Sequence, residues 1–385
     1  MLTEIIEMSI NCRVCDAICY KNNLLSYSNM PSSAQGFLTT EDLKFDAGSS
    51  LFIVQCKSCG LIQLDNAPVP YFKEVIRASS FSEEMKKFRL KQFKSWVKEF
   101  NLTNKKVLEV GCGKGEYLEI LSTVGAEAHG IEYSIQSVDY CVNNNLSVSQ
   151  GFLGDKHSDI ENQKFDGFMC LSFMEHWPDP NKVLGELSKI LNEGSIGLIE
   201  VPNFNMILEK GLYSEFISDH LMYFTKETLI FTLQLNGFEV LSCKSIWHNY
   251  ILSAVVRKRI KTNLDFFENF KKKVKYDLDF FIKKFPEKGV AIWGAGHQAL
   301  ATISLTKIEK NIKYIVDSAV FKQGRYSPSS HIKIVSEDKL IEDPVDALII
   351  MAGSYSDEII KIMKSKYPLI EIAVLREFGL ELFED

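Results

Sequence analysis

The chain has 385 residues, 46% of them apolar and 24% charged, with a net charge of −6. That length leaves room for two or three domains, and the composition is that of a soluble globular protein. No apolar run reaches the roughly 18 residues of a membrane span. The opening residues, Met1 to Ile10, lack the basic region of a secretory signal. An acidic balance argues against a large nucleic-acid footprint. The expectation is a cytoplasmic protein with a small-molecule substrate and neither a membrane nor a nucleic-acid partner.

Residues 1–70 are turn-rich and carry two cysteine pairs, Cys12-x-x-Cys15 and Cys56-x-x-Cys59. Nine cysteines in an intracellular-looking chain are metal ligands or core residues before they are disulfides. Thiolates at this spacing grip one Zn²⁺ from one side, and two pairs complete a closed tetrahedron. Four ligands leave no open position, so the predicted ion is structural. Four buried free cysteines and a redox pair are the alternatives. Cys19 competes as a ligand at a poorer spacing. Cys112, Cys141, Cys170 and Cys243 fall on apolar or small positions and read as core.

From Ser82 to Phe100, the spacing of Met85, Phe88, Leu90, Phe93, Trp96 and Val97 among lysines predicts a helix. Residues 105–245 then alternate strands and helices. Predicted strands cover Lys106–Val110, Ala128–Glu132, Gly167–Leu171 and Ile196–Val201, which implies a mostly parallel sheet covered on both faces. The first strand runs without a gap into Gly111-Cys-Gly113-Lys-Gly115 and an amphipathic helix. Glycines let the backbone turn tightly and let a ligand come close, and a helix start aims free N–H groups at it. The G-x-G-x-G spacing differs from the dinucleotide G-x-G-x-x-G. It resembles the first motif of the S-adenosylmethionine-dependent methyltransferases.

Under that resemblance Glu132, ending the second strand, is placed to accept from both ribose hydroxyls of an adenosine ligand; alone it reads as a solvated charge. Glu109 contacts the methionine ammonium end or braces the glycine turn. Gly151-Phe-Leu153 and Asp155 fall where an adenine-flanking loop would lie. The fourth strand ends in Cys170-Leu-Ser172-Phe-Met-Glu-His176, the edge that lines the transfer site in such folds, with Ser172 as a cofactor contact.

A charged helical segment, about Thr262 to Lys284, precedes a further α/β unit with strand-like runs at Gly289–Gly294, Ile312–Asp317 and Asp346–Gly353. Gly294-Ala-Gly296-His297-Gln-Ala299 follows a strand, opens a helix, and has Asp317 at the end of the next strand. Standing alone, this satisfies the dinucleotide fingerprint with a terminal alanine. The helix start is an anion site, and Lys322 and Arg325 either add positive charge nearby or are solvated surface.

The order of cysteine quartet, methyltransferase motif and second Rossmann-like unit resembles the sugar C-methyltransferases, over roughly residues 10 to 375. Further matches are Gln55-Cys-Lys-Ser-Cys-Gly-Leu-Ile-Gln63, Tyr314-Ile-Val-Asp317 and Lys322-Gln-Gly-Arg-Tyr-Ser-Pro328. The resemblance implies an α/β protein. It would have a zinc-binding domain over 1–75, a class I (Rossmann-like) methyltransferase core over 76–250, and a Rossmann-like domain over 251–385 that helps close the substrate cleft. It implies S-adenosylmethionine as cofactor, zinc in the quartet, and a nucleotide-linked keto-sugar as substrate. It lowers the prospect of NAD at the second glycine motif, where Gly294, Gly296 and His297 become contacts to the substrate or its phosphates.

The family's chemistry removes a proton beside a ketone, and histidine is the usual base near neutral pH. The family's Glu-His pair appears here as Asp219-His220, with Asp219 placed to orient the imidazole or raise its pKa. The family's Asn-x-x-x-His keeps only its histidine, His176. Two substrate-facing tyrosines are replaced by Ile76 and Ile217, so the pocket is less polar and the substrate differs from the usual 3-keto sugar. A Gly-Gly-Ser stretch of the family reads His248-Asn-Tyr-Ile-Leu252 here. A loop-anchoring histidine is the structural alternative for His220, and a cap or brace for His176. O- or N-methylation of another small molecule, a zinc-knuckle RNA methyltransferase and a non-catalytic dinucleotide-binding scaffold are the competing functions.

Overall fold

The structure is a computed structural model and describes residues 10–20, 22–34, 37–74, 82–155, 160 and 162–383. Ile76 lies outside the described residues. The chain divides into two compact units, Met1–Lys261 and Thr262–Asp385.

The first unit opens with a small antiparallel sheet that sequence periodicity did not reveal. Its strands are β1 (Leu25–Met30), β2 (Ser49–Gln55) and β3 (Ile62–Leu64). They are short, and β1 is largely exposed, so no apolar run marks it. Cys56 directly follows β2, and Cys59 lies in the turn that leads to β3. The loop of the first cysteine pair is tied to the rest of the unit. The Asn181 amide donates to the Val14 carbonyl at 2.6 Å, and the Arg13 guanidinium donates to the carbonyls of Asn66 at 2.9 Å and Pro178 at 3.2 Å.

The main sheet contains β4 (Lys106–Val110), β5 (Glu127–Glu132), β6 (Val148–Gln150), β7 (Phe165–Leu171) and β8 (Leu191–Pro202). Next in the chain comes β9 (Met222–Tyr223), which leaves the main sheet and pairs with β3. The chain returns for β10 (Phe238–Ile246) and β11 (Ile251–Lys258). Spatial order is β10-β11-β8-β7-β4-β5-β6, parallel throughout except for β11. The four predicted strands coincide with β4, β5, β7 and β8. The expected boundary at 250/251 falls inside the β10–β11 hairpin, because β11 is hydrogen-bonded to β8 and cannot leave the sheet. The first unit therefore runs on to Lys261.

Helices cover both faces of this sheet, which is why Val107, Leu108 and Val110 of β4 are all buried. Helix α1 (Glu83–Glu99) starts where the Ser82 hydroxyl accepts from Met85 N–H. Helix α2 (Glu116–Thr123) leaves the glycine turn, and α3 (Ile135–Asn143) follows β5. Helix α4 (Pro180–Ile190) starts with proline in its first turn, capped by Asp179. The order in which strands are added reverses between the parallel neighbours β4 and β7, so the crevice outside their carboxyl ends is the expected ligand position. Among the described residues, no helix is long and apolar enough to cross a membrane.

A buried ion pair locks α1 onto the sheet. Arg89 Nη1 donates to Glu200 Oε2 at 2.5 Å, while Gln92 and Ser253 donate to Glu200 Oε1 at 2.5 and 2.9 Å. Arg89 and Glu200 are both fully buried.

The second unit is a single sheet with strands β12 (Val290–Trp293), β13 (Ile312–Val316), β14 (Ile334–Val335), β15 (Ala347–Ile350), β16 (Glu371–Arg376) and β17 (Gly379–Leu382). Its order is β14-β13-β12-β15-β16-β17, and only β17 is antiparallel. The predicted charged segment forms α5 (Asp265–Ile282), which buries Val274, Leu278, Phe281 and Ile282. Helix α6 (His297–Thr306) follows the second glycine turn.

Replacing Arg89 by Met should destabilise the protein by about 3–5 kcal/mol, because Glu200 is left buried and unpaired. Urea denaturation checks this. The Arg89→Met, Glu200→Gln double variant should recover much of the loss, since no charge is then stranded.

Candidate active site

The glycine turn is held in the left-handed region, with φ of 73° at Gly111, 55° at Gly113 and 81° at Gly115. A Cβ on Gly115 would lie 2.4 Å from Leu146 Cδ1, so packing as well as conformation demands glycine there. Glu132 braces the turn: its Oε2 accepts from Gly113 N–H at 3.0 Å and its Oε1 from Ser134 N–H at 2.9 Å. The carboxylate is fully buried, which removes the solvated-charge reading. Glu109 is buried on β4 beside the turn.

A narrow cleft at this edge is lined by Val110, Gly111, Ile131, Tyr133, Gly151 and Phe152. Lys73, which the sequence did not single out, stands at its mouth. Its ammonium lies 2.6 Å from Asp155 Oδ2 and faces the Tyr133 and Phe152 rings, 5.2 and 5.7 Å from their centroids.

Beyond the end of β7 the chain enters Ser172, a non-glycine residue at φ 52°, with its N–H donating to the Glu200 carbonyl at 2.8 Å. A left-handed conformation costs a residue with a Cβ and recurs at functional sites. The turn that follows, Met174–His176, delivers Glu175 and His176 to one place, and the segment before β9 delivers His220 to the same place. The His176 and His220 ring centroids are 4.8 Å apart at 79°. The ligand atoms of Glu175, His176 and His220 all lie within 4.8 Å of one another. His176 Nδ1 is 2.8 Å from the Asp219 carbonyl oxygen. A carbonyl only accepts, so Nδ1 carries the hydrogen and Nε2 keeps its lone pair.

Burial dominates the electrostatics. It pushes the Glu175 carboxyl up to about 8. It pushes His220 down to about 3, with His176 adding to the effect. Burial also lowers His176, against the opposing pull of Asp219. Both imidazoles are therefore neutral at neutral pH.

Asp219 does not reach His220 with its carboxylate, as the sequence reading expected. Its Oδ1 accepts from the Tyr71 hydroxyl at 2.8 Å and its Oδ2 from Ala34 N–H at 2.9 Å. Tyr71 is a site residue that sequence reasoning missed. It lies 148 residues from Asp219 in the chain, and no spacing marks it. Ile217 uses its backbone: its N–H donates to the Tyr223 hydroxyl at 3.0 Å, and Tyr223 packs against Phe204 and Phe216 as part of the core.

The cysteine quartet converges. Cys12 Sγ and Cys59 Sγ are 3.6 Å apart, and Cys15 Sγ and Cys56 Sγ 3.5 Å. Thiolates around one tetrahedral zinc, each at about 2.3 Å, stand roughly 3.8 Å apart. Backbone N–H groups also point at the sulfurs: Val14 at Cys12, and Ser58 and Cys59 at Cys56, at 3.3–3.4 Å. Amides aimed at sulfur stabilise the thiolate form that a metal needs. Cys19, although buried, stands outside this group of four.

In the second unit, a Cβ on Gly294 would lie 2.6 Å from the Met351 carbonyl oxygen, and Gly296 and His297 are exposed at the start of α6. The Asp317 carboxylate accepts from Ala295 N–H at 2.8 Å, Ala319 N–H at 2.9 Å and Lys322 Nζ at 2.9 Å. The acid that a dinucleotide fingerprint offers to ribose is here spent on its own turn and on a lysine.

Residues 80–243 match the family model described as a methyltransferase domain, and residues 255–368 match a C-methyltransferase C-terminal domain. The chain carries an S-adenosylmethionine-dependent methyltransferase domain. That domain has the class I, Rossmann-like α/β fold described above, and it is coupled to a C-methyltransferase type of C-terminal domain. A similar protein over most of its length is the C-methyltransferase NovU of Streptomyces niveus, 22% identical with 93% of each chain covered. The methyltransferase domain alone is similar to ubiquinone biosynthesis O-methyltransferases. That of Paraburkholderia phymatum is 28% identical over 32% of this chain and 54% of its own length, and that of Proteus mirabilis 30% over 24% and 40%. The chain thus spans about half the length of these O-methyltransferase relatives. Among solved structures, an S-adenosylmethionine-dependent methyltransferase from Clostridium acetobutylicum matches with a TM-score of 0.39 and 16% identity, covering 49% of this chain and 96% of that one.

Glu132→Ala should weaken S-adenosylmethionine binding by about 10- to 100-fold, the equivalent of roughly 1.5–3 kcal/mol for lost charge-assisted hydrogen bonds. Isothermal calorimetry measures this, and an unchanged affinity would remove Glu132 from the cofactor site.

Proposed function

We propose that the protein transfers a methyl group from S-adenosylmethionine to a carbon of a nucleotide-linked keto-sugar, with His220 as general base. One observation carries this reading: two neutral imidazoles, His176 and His220, converge at the carboxyl end of β7, beside the crevice edge that holds the glycine turn. The similarity to a C-methyltransferase over 93% of the chain supports carbon as the acceptor atom, and the sugar follows from the family resemblance of the sequence. S-adenosylmethionine supplies an electrophilic methyl group when bound.

Each residue then has a defined task. Glu132 holds the ribose hydroxyls, and Gly111, Gly113 and Gly115 let the adenosine approach the backbone. Glu109 and Ser172 face the methionine end. His220 keeps a lone pair at neutral pH, so it takes the acidic proton beside the ketone without first losing one of its own. Buried Phe173 and Trp177 exclude water from the turn that carries His176. Asp219 is a positioning residue: its carbonyl fixes the His176 tautomer, and its carboxylate ties that carbonyl to Tyr71 and Ala34. Ile217 presents an apolar side chain to the sugar. Within the second unit, Gly294, Gly296 and His297 at the start of α6 offer backbone N–H groups to an anion. Zn²⁺ bound by Cys12, Cys15, Cys56 and Cys59 is structural, since four thiolates leave no position for substrate.

The O-methyltransferase relatives favour a second reading, transfer to oxygen, for which a histidine base serves equally well. Mass spectrometry of products from a panel of nucleotide sugars separates the two, because a new carbon–carbon bond resists the treatments that cleave an ether.

His220→Ala should lower kcat by about 10²- to 10⁴-fold, the usual worth of a general base, while calorimetry finds cofactor affinity unchanged. Equal loss of both would make His220 structural. Metal analysis should find one zinc per chain, and Cys56→Ser should lower both zinc content and Tm. Folded protein that is free of metal would contradict the quartet reading.

A further inference from the structure

Glu175, His176 and His220 form a second convergence of metal-ligating groups, distinct from the cysteine quartet. Each offers one ligand atom to the same place. Glu175 Oε2 is completely buried and finds no hydrogen-bond partner among the described residues. His176 spends its only hydrogen on the Asp219 carbonyl, so Nε2 is an acceptor. His220 makes no side-chain hydrogen bond among the described residues; its ring meets those of His176 and Tyr223 edge to face. Glu175 Oε2 and the His176 Nε2 lone pair thus meet in a buried place, where an unpartnered polar atom is costly and a cation would join them.

We propose that Glu175, His176 and His220 are a divalent-cation site, and that a bound cation and the substrate's proton compete for the same lone pairs. The donor set is two imidazoles and one carboxylate, which favours Zn²⁺, Co²⁺ or Ni²⁺ over Mg²⁺. The His176–Asp219 hydrogen bond is the outer-shell contact that fixes a metal-binding imidazole in its tautomer. Ligand atoms around a tetrahedral ion stand roughly 3.3–3.5 Å apart, so the three groups, now within 4.8 Å, need a side-chain adjustment of about 1 Å and no backbone movement. Three protein ligands leave an open position, unlike the quartet. A filled site removes the His220 lone pair, so occupancy silences turnover. The binding part of the proposal stands alone; only the inhibition rests on His220 as base.

The test titrates zinc-loaded protein with Co²⁺ in the absence of substrate. The expected result is one additional Co²⁺ per chain, with weak visible ligand-field bands and no thiolate charge-transfer band. That cobalt should be lost in both Glu175→Gln and His220→Ala. Unchanged zinc content and Tm show that each variant is folded. Turnover should fall in proportion to cobalt bound, and return with a chelator level that leaves the quartet's zinc in place. No cobalt beyond the quartet, or equal cobalt uptake by both variants, would overturn the site. Undiminished turnover with the site filled would overturn the competition. Because binding is read without substrate, it decides the site whatever His220→Ala does to kcat.

Discussion

Two hydrogen bonds accepted by the Asp219 carboxylate, from Tyr71 and Ala34, hold the acceptor side of this protein in place. They anchor a short segment that has almost no regular structure of its own. From it the Asp219 carbonyl sets the tautomer of His176, and the next residue presents His220. Ser218 adds a bond from its hydroxyl to the Pro31 carbonyl at 2.7 Å. The chemistry of the site is thus referred to the N-terminal sheet, whose loops carry the cysteine quartet. A metal bound by the quartet would act at a distance, by fixing the surface against which the acceptor segment is tied.

Cofactor and acceptor sides are built by different physics. On the cofactor side, backbone amides and one buried carboxylate are mutually satisfied: Glu132 is paired with the turn it braces, so that edge is organised before any ligand arrives. On the acceptor side, Glu175 Oε2 is buried without a hydrogen-bond partner among the described residues. The cost of that burial is met elsewhere, by dense packing around Phe168, Trp177 and Phe224 and by the Arg89–Glu200 network that fixes α1 to the sheet.

How much of this was legible in the sequence follows from which interactions are local. The glycine turn, Glu132 and the quartet lie in runs where spacing along the chain is spacing in space, so pattern reading places them. Strands β4, β7 and β8 were readable because both faces are buried and the runs are largely apolar. The expected domain boundary cut the β10–β11 hairpin because the pairing of β11 with β8 is long-range and leaves no local mark. Asp219 was assigned to its sequence neighbour, His220, whereas its carboxylate partners come from a distant loop. Tyr71, Lys73 and the left-handed Ser172 carry no local signature at all. Their roles come from tertiary contacts or backbone geometry, to which composition and periodicity are blind.

The pairing of β3 with β9 has a consequence for how the chain is made. The N-terminal sheet is completed by a strand that emerges from the ribosome only after most of the methyltransferase core. Until then β3 is an open edge with unsatisfied amides and carbonyls, a surface prone to pair with the wrong neighbour. Early metal capture by the cysteine loops would order that edge while it waits, and closing it is a slow, long-range event. A fragment cut near residue 75 keeps its four cysteines but has lost the strand that closes the edge of β3.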